Sequence, residues 1–243
     1  MKIIVNGAGG RMGRQVVSGI RTPDECVAKV DKFCDESDML KTLDDFRGCA
    51  DVIIDFSNPS ATSEITEYAE KMGMPLVIAT TGHGEIDKAR INEASKKIPV
   101  FLSANMSLGV ALLVNLAKQA AKAFPGADIE IVESHHNRKL DAPSGTALMI
   151  AEGIKEVRGE GKFVCGREGR APRSCGEIGI HAIRGGNIVG THEVMLITDT
   201  QTLTIKHEAH DRALFAEGAL AAAEFLVAQK PGLYNMYDMI KGM

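Results

Sequence analysis

No stretch of this 243-residue sequence approaches about 20 uninterrupted apolar residues, the length a membrane-crossing helix needs, so a bilayer span is not expected. The opening Met1-Lys2-Ile3-Ile4-Val5-Asn6-Gly7 is too short and too quickly interrupted an apolar run for a secretory signal, which makes the cytoplasm the expected compartment. Cysteine is sparse: Cys26, Cys34, Cys49, Cys165 and Cys175 are scattered, odd in number and without a C-x-x-C pair, which suits reduced thiols. Cys165 and Cys175 lack two further clustered ligands and no H-E-x-x-H occurs, so no metal is expected. Neither sign of charge is in great excess. With 28 Lys and Arg against 32 Asp and Glu the formal charge is -4, which argues against a general nucleic-acid binder and favours a small partner. There is no G-x-S-x-G elbow for a nucleophilic serine, no internal repeat and no low-complexity segment.

What is present alternates in its first hundred residues between short apolar runs and helical patterns, the signature of a parallel sheet wrapped by helices. Strands are expected at Ile3 to Asn6, Val27 to Asp31, Val52 to Phe56, Leu76 to Ala79 and Val100 to Leu102. Helices are expected at Arg11 to Ile20, Pro59 to Met72 and Glu85 to Lys97. Phe33 to Arg47 is short and polar, with a helical turn or two at most. After Asn105 the rhythm changes. A long apolar-striped helix from Leu108 to Phe124 is followed by a β-branched strand around Asp128 to Val132, a histidine-rich loop and a helix from Ser144 to Arg158. Gly159 to Cys175, rich in Gly, Arg and Lys, is expected to be a mobile loop. Three strand-like runs come next, Glu177 to Arg184, Ile188 to Thr198 and Thr202 to His207, before a final Ala-rich helix from Asp211 to Gln229.

The expected fold class is α/β: an N-terminal Rossmann-like parallel-sheet domain (1–106 plus 216–243) and a C-terminal α+β domain (107–215) with an open, mixed and largely antiparallel sheet. One face of that sheet needs a cover, and self-association would supply it.

Gly7-Ala8-Gly9-Gly10-Arg11-Met12-Gly13 follows the first strand and opens the first helix, the context of a dinucleotide fingerprint. The strict G-x-G-x-x-G spacing is not met, because Met12 stands where the third glycine would fall, and Gly7, Gly10 and Gly13 are expected to be the operative glycines. They let the backbone approach a pyrophosphate held by free N–H groups at the helix start. Asp31, at the end of the second strand, stands where an acid holds ribose hydroxyls. Lys32 beside it would neutralise a 2′-phosphate, so NADH and NADPH both remain open. No G-K-[ST] follows, which excludes a P-loop.

The densest polar chemistry is Glu133-Ser134-His135-His136-Asn137-Arg138-Lys139-Leu140-Asp141-Ala142-Pro143-Ser144-Gly145-Thr146-Ala147. Its crowded basic side chains repel one another unless an anion, such as a doubly charged substrate, joins them. Ser144 reads as an N-cap, with the amides of Gly145 and Thr146 directed at a carboxylate. Lys139 is a candidate proton donor whose pKa cationic neighbours would lower. His135 and His136 could orient substrate or exchange protons. The remaining histidines, His83, His181, His192, His207 and His210, have no motif around them and read as structural.

The string from Glu130 to Ala147 is similar to the signature E-x-H-H-x-x-K-x-D-A-P-S-G-T-A of the 4-hydroxy-tetrahydrodipicolinate (dihydrodipicolinate) reductase family, and the resemblance runs through nearly the whole chain. Supporting blocks are the glycine-rich turn, Asp55-Phe56-Ser57, Ala79-Thr80-Thr81-Gly82 and Ser103-Ala104-Asn105-Met106-Ser107. The resemblance implies an NAD(P)H-dependent oxidoreductase of lysine biosynthesis. Its nucleotide site would be Gly7, Ala8, Gly9, Gly10, Arg11, Met12, Asp31 and Lys32, with Ala79, Thr80, Thr81, Ser103, Ala104, Asn105 and Met106 towards the nicotinamide. It further implies His135 and Lys139 as the catalytic pair, and His136, Gly145 and Thr146 on a small cyclic dicarboxylate substrate. Hydride would pass to ring C4 and Lys139 would protonate the adjacent C3. A homotetramer built through the second domain's sheet is also implied. Ala79 and Met106 depart from the family pattern, where glycine and an aromatic residue are usual. The rival readings are another nicotinamide-dependent reductase of a carboxylated imine or semialdehyde, and a non-catalytic nucleotide-sensing module.

Overall fold

Continuous apolar runs bounded by turn residues form the first sheet. The computed structural model describes residues 1–241, and residues 242–243 of the segment expected to complete the first domain lie outside that range. The chain divides into two compact units, Met1–Ser107 with the segment from Arg212 onward, and Leu108–Asp211.

The first unit carries a parallel sheet of β1 (Lys2–Asn6), β2 (Glu25–Val30), β3 (Met39–Leu40), β4 (Val52–Asp55), β5 (Leu76–Ile78), β6 (Pro99–Leu102) and β12 (Gly232–Tyr234), in the order β12-β6-β5-β4-β1-β2-β3. The helices of this unit are α1 (Arg11–Gly19), α2 (Thr62–Met72), α3 (Glu85–Ser95), α6 (Ala213–Leu226) and α7 (Met236–Lys241). β4 is buried along its whole length, as expected of a strand with helices on both faces. Ile4, Ile53, Leu76 and Val100 meet Ile65 of α2 and Ile91 of α3 in one core cluster, while α1 and α6 pack together and α6 lies over β4, β5 and β6. The strand order reverses about β1, so the glycine-rich turn after β1 opens at the topological switch point, where ligands of such sheets bind.

Sequence patterning missed β3, β12 and α7. β3 and β12 span two and three residues, too few to show a period, and exist because a neighbouring strand offers its edge.

The second unit carries α4 (Leu108–Ala123), β7 (Asp128–His135), α5 (Gly145–Arg158), β8 (Lys162–Cys165), β9 (Glu177–Arg184), β10 (Gly190–Ile197) and β11 (Thr202–Ala209). Its sheet order is β11-β10-β7-β9-β8. The pairings of β10 with β11 and β7 are antiparallel, whereas β7 with β9 and β8 with β9 are parallel. The sheet is therefore mixed and not largely antiparallel, because α5 serves as the crossover that returns the chain in the direction of β7. α4 and α5 pack on each other and against this sheet. Ile129, Ile131, Val194 and Leu196 are buried, while the alternate residues Glu130, Val132, Glu193 and Met195 are half-buried.

Gly159 to Cys175 is not simply a loop. It contains β8, and ion pairs tie the residues after β8 to the sheet: Arg167 to Glu177 at 2.7 Å, Arg173 to Asp128 at 2.8 Å, and Arg173 to Glu130. Partners this distant in sequence leave no local pattern. Among the described residues no helix is long and apolar enough to cross a membrane.

Candidate active site

In the first unit the glycine-rich turn is shaped by what its residues lack. Gly7 has φ +75°, a conformation side chains disfavour, and a Cβ there would stand 2.7 Å from the Phe56 carbonyl. A Cβ on Gly13 would lie 2.1 Å from the Gly7 carbonyl oxygen, and one on Gly9 would lie 2.6 Å from Cys34 Cβ and 2.9 Å from Asp31 Oδ2. At Gly10 the nearest atom would be 3.2 Å away. Gly9, not Gly10, thus joins Gly7 and Gly13 as the glycines that internal packing demands. Gly10 is the N-cap of α1 and makes no side-chain cap hydrogen bond, so the helix start presents backbone N–H groups without a competing oxygen. This cradle suits a pyrophosphate.

Asp31 is fixed by two backbone donors: Gly9 N–H to Oδ2 at 3.1 Å and Phe33 N–H to Oδ1 at 2.9 Å. The same carboxylate therefore ties the glycine turn to the end of β2. A cavity of about 300 Å³ includes Gly7, Gly10, Asp31 and Lys32 in its wall, together with Lys41 and Ser57. A second, of about 500 Å³, shares Gly10 and Ser57 and adds Arg11, Met12, Ala79, Thr80 and Thr81. Ala104, Asn105 and Met106 complete its lining, with Phe215 from α6. Of the residues expected towards the nicotinamide, Ser103 alone does not line it, and its hydroxyl bonds to the Asn105 carbonyl at 2.7 Å.

Asp55 organises this wall. Its buried carboxylate accepts from Asn6 Nδ2 at 2.7 Å, Ser57 Oγ at 2.6 Å and Thr80 Oγ1 at 2.7 Å, which pins the ends of β1, β4 and β5 together. In the sequence the Asp55-Phe56-Ser57 block, which starts on the last residue of β4, stood out only as a supporting block of the family resemblance, with no role attached.

In the second unit β7 ends on His135, and the chain turns through Lys139 into the N-terminus of α5. Ser144 is the N-cap and its Oγ accepts from Ala147 N–H at 3.2 Å. Gly145 is exposed and Thr146 half-buried at the helix start. The expected crowd of repelling cations is broken up by partners. Lys139 Nζ lies 2.9 Å from Asp141 Oδ1, and Arg138 donates to Asn187 at 2.9 Å. The charge nearest Lys139 is an anion and not another cation. Hydrogen bonding from Lys139 holds the Asp141 carboxyl below its ordinary range.

Beneath this surface lies a fully buried carboxylate, Glu133. His135 Nδ1 is 2.6 Å from its Oε2. Arg184 engages both oxygens, at 2.8 and 2.7 Å, and the Ser144 N–H donates to Oε1 at 3.0 Å. Burial pushes the Glu133 pKa up, but Arg184, His135 and Ser144 together bring it below the ordinary value. His192, also buried, crosses the His135 ring edge-on at 5.2 Å and has Nε2 3.1 Å from Ser144 Oγ. Burial, then the positive field of His135, depresses its pKa to about 4, so it is neutral near pH 7. Sequence pattern had assigned His192 no part here, because the histidine reaches this cluster from β10.

Two family models divide the chain between them: "Dihydrodipicolinate reductase, N-terminus" matches residues 1–106 and "Dihydrodipicolinate reductase, C-terminus" matches residues 109–240. The chain belongs to the dihydrodipicolinate reductase family. A 4-hydroxy-tetrahydrodipicolinate reductase of Caldanaerobacter subterraneus subsp. tengcongensis is 48% identical over 99% of this chain and 98% of its own. One from Alkaliphilus metalliredigens is 46% identical over 99% of each. In fold, the chain is similar to the dipicolinate-bound dihydrodipicolinate reductase of Paenisporosarcina sp. TG-14, with a TM-score of 0.84 at 24% identity, covering 98% of this chain and 99% of that one. Dihydrodipicolinate reductase membership makes the chain an oxidoreductase with a nicotinamide-nucleotide-dependent, Rossmann-like unit. Within this reductase, the Glu133 and Arg184 pair and His192 escaped sequence reasoning. Glu133 stood in the quoted motif without a role, and Arg184 and His192 come from β9 and β10.

Proposed function

We propose that this chain reduces 4-hydroxy-tetrahydrodipicolinate, with loss of water, to tetrahydrodipicolinate in the diaminopimelate route to lysine. The observation that carries the reading is the continuous path from His135 through Lys139 into the capped start of α5, which puts acid-base groups and carboxylate-binding amides in one turn of chain. The Gly145 and Thr146 amides take one substrate carboxylate, favoured by the helix macrodipole, and His136 meets the ring acid on the other side. Lys139 leaves Asp141, binds the substrate and delivers a proton to ring C3, while His135 exchanges a proton with the ring. Charge building on the ring during the reaction is stabilised by these preorganised donors.

The glycine turn and Asp31 hold the dinucleotide, and Ala79 to Thr81 with Ala104 to Met106 line its reactive end. When bound, the dihydronicotinamide supplies the hydride that adds at C4. Asp31 serves the ribose diol. Lys32 is exposed and makes no ion pair among the described residues, so it is available to a 2′-phosphate. Both NADH and NADPH are therefore accepted. The half-buried face of the second unit's sheet is the contact through which a cytoplasmic homotetramer assembles, and no metal takes part.

The test is an assay with freshly generated hydroxy-tetrahydrodipicolinate and each nucleotide in parallel, following loss of nicotinamide absorbance. Oxidation of either nucleotide dependent on that substrate is expected, and none with either would overturn the assignment.

A further inference from the structure

Glu133 and His135 lie two apart on β7, so strand geometry brings both to one face. Register then sets Arg184 of β9 opposite His135. The four contacts of the Glu133 carboxylate come from His135, Ser144 and the two terminal nitrogens of Arg184, so Oε2 serves the histidine, Oε1 serves the start of the helix, and Arg184 bridges the two. Arg184 supplies the countercharge that lets a fully buried carboxylate remain ionised. An ionised carboxylate can only accept, so a contact of 2.6 Å to Nδ1 requires the proton on that nitrogen. With Nδ1 taken by Glu133, Nε2 is the ring nitrogen left for proton exchange. Gly190 of β10 leaves the space beside it, since a Cβ there would stand 3.1 Å from Nε2.

We propose that Glu133, neutralised by Arg184, is a positioning residue that locks His135 as the Nδ1–H tautomer and at the same time anchors the start of α5. One carboxylate thereby aligns the proton-exchanging Nε2 with the amides that grip the substrate acid. This deepens the proposed function and rests on His135 meeting the substrate. The charged and titratable groups around the ring are Glu133 on its own strand, Arg184 from β9, His192 from β10, and Lys139 and Asp141 from the following turn. His192 cannot take over the carboxylate's task, because it is neutral near pH 7 and its Nε2 is engaged with Ser144.

Nitrogen NMR of the wild-type imidazoles, recorded above the histidine titration, should show His135 protonated at Nδ1 and bare at Nε2. Free histidine prefers the reverse, so the Nε2–H form in the protein overturns the proposal without recourse to any variant. Glu133→Gln should lower kcat by roughly 10- to 100-fold, by analogy with removal of the carboxylate that orients a metal-bound histidine. The His135 limb of the pH profile should move to lower pH, nucleotide affinity should stay unchanged, and Glu133→Asp should restore part of the rate. Unchanged kcat and an unmoved profile in Glu133→Gln defeat the positioning role, and if His135→Ala is nevertheless inactive the catalytic reading survives. Wild-type turnover by His135→Ala defeats both.

Discussion

Both units pin their candidate sites with a buried carboxylate, yet the two carboxylates work differently. Asp55 in the first unit is satisfied by neutral donors, a side-chain amide, a backbone N–H and two hydroxyls, and it holds strand ends where a cofactor would rest. Glu133 in the second is satisfied by a guanidinium, an imidazole and an amide N–H, and it holds the histidine proposed to exchange protons. A binding wall needs shape, which neutral hydrogen bonds supply with little electrostatic consequence. A proton-transfer site needs a defined charge and tautomer, and these come from ionised partners. The glycine turn takes the first logic to its limit, since three of its residues work by having no side chain at all.

The sharpest way to break this contrast is to remove charge from the second unit. Lys139→Ala or His135→Ala should cut turnover by about 10²- to 10⁴-fold, the usual contribution of a positioned acid or base. Nucleotide affinity, read by fluorescence titration, should not move. A parallel loss of nucleotide binding would show that the roles are not segregated.

Acid should next expose the buried histidine. His192 is depressed from 6.5 to about 4 in the folded chain, so between those values the unfolded state binds more protons and stability rises with pH. Its contribution is complete above about pH 6.5 and is lost as pH falls towards 4, at most roughly 3 kcal/mol. Glu133, held below its ordinary pKa, works in the same direction lower down, its contribution disappearing as pH drops through its folded value. Denaturant melts of wild type and His192→Asn across this range should converge in acid. Parallel curves would remove His192 as the cause.

Within the first unit the glycines can be ranked. Gly13→Ala places a methyl 2.1 Å from the Gly7 oxygen and should cost about 1–3 kcal/mol of stability together with most nucleotide affinity. Gly10→Ala meets nothing nearer than 3.2 Å and should leave the melting temperature close to wild type. Equal losses at both positions would contradict the packing account. The smallest effect is expected from Lys32→Ala, which should weaken NADPH by a few-fold, about 1 kcal/mol or less for an exposed charge, and leave NADH unchanged. Equal loss of both nucleotides would dissociate Lys32 from the 2′-phosphate.

The sequence made much of this legible. Strands β1, β4 and β5 announce themselves as continuous apolar runs and helices α1 and α4 by local period, and the glycine turn, the Ser144 cap and the Lys139 loop are contiguous strings. Gly9 was harder to see, because its need for a missing side chain arises from Cys34 and Asp31, which approach it from beyond β2. β8 and the ion pairs of Arg173 were hidden in a stretch whose composition reads as loop.

By itself, then, the sequence determined the two-part plan, the glycine-rich turn and the polar string that closes on α5, because each is written in neighbouring residues whose backbone preferences and periodicity act locally. Only the tertiary structure decided that Glu133 would be neutralised by Arg184 and that Ser144 would meet His192. Burial and sheet register set those pairings, and both depend on which strands lie side by side, a property no single segment carries.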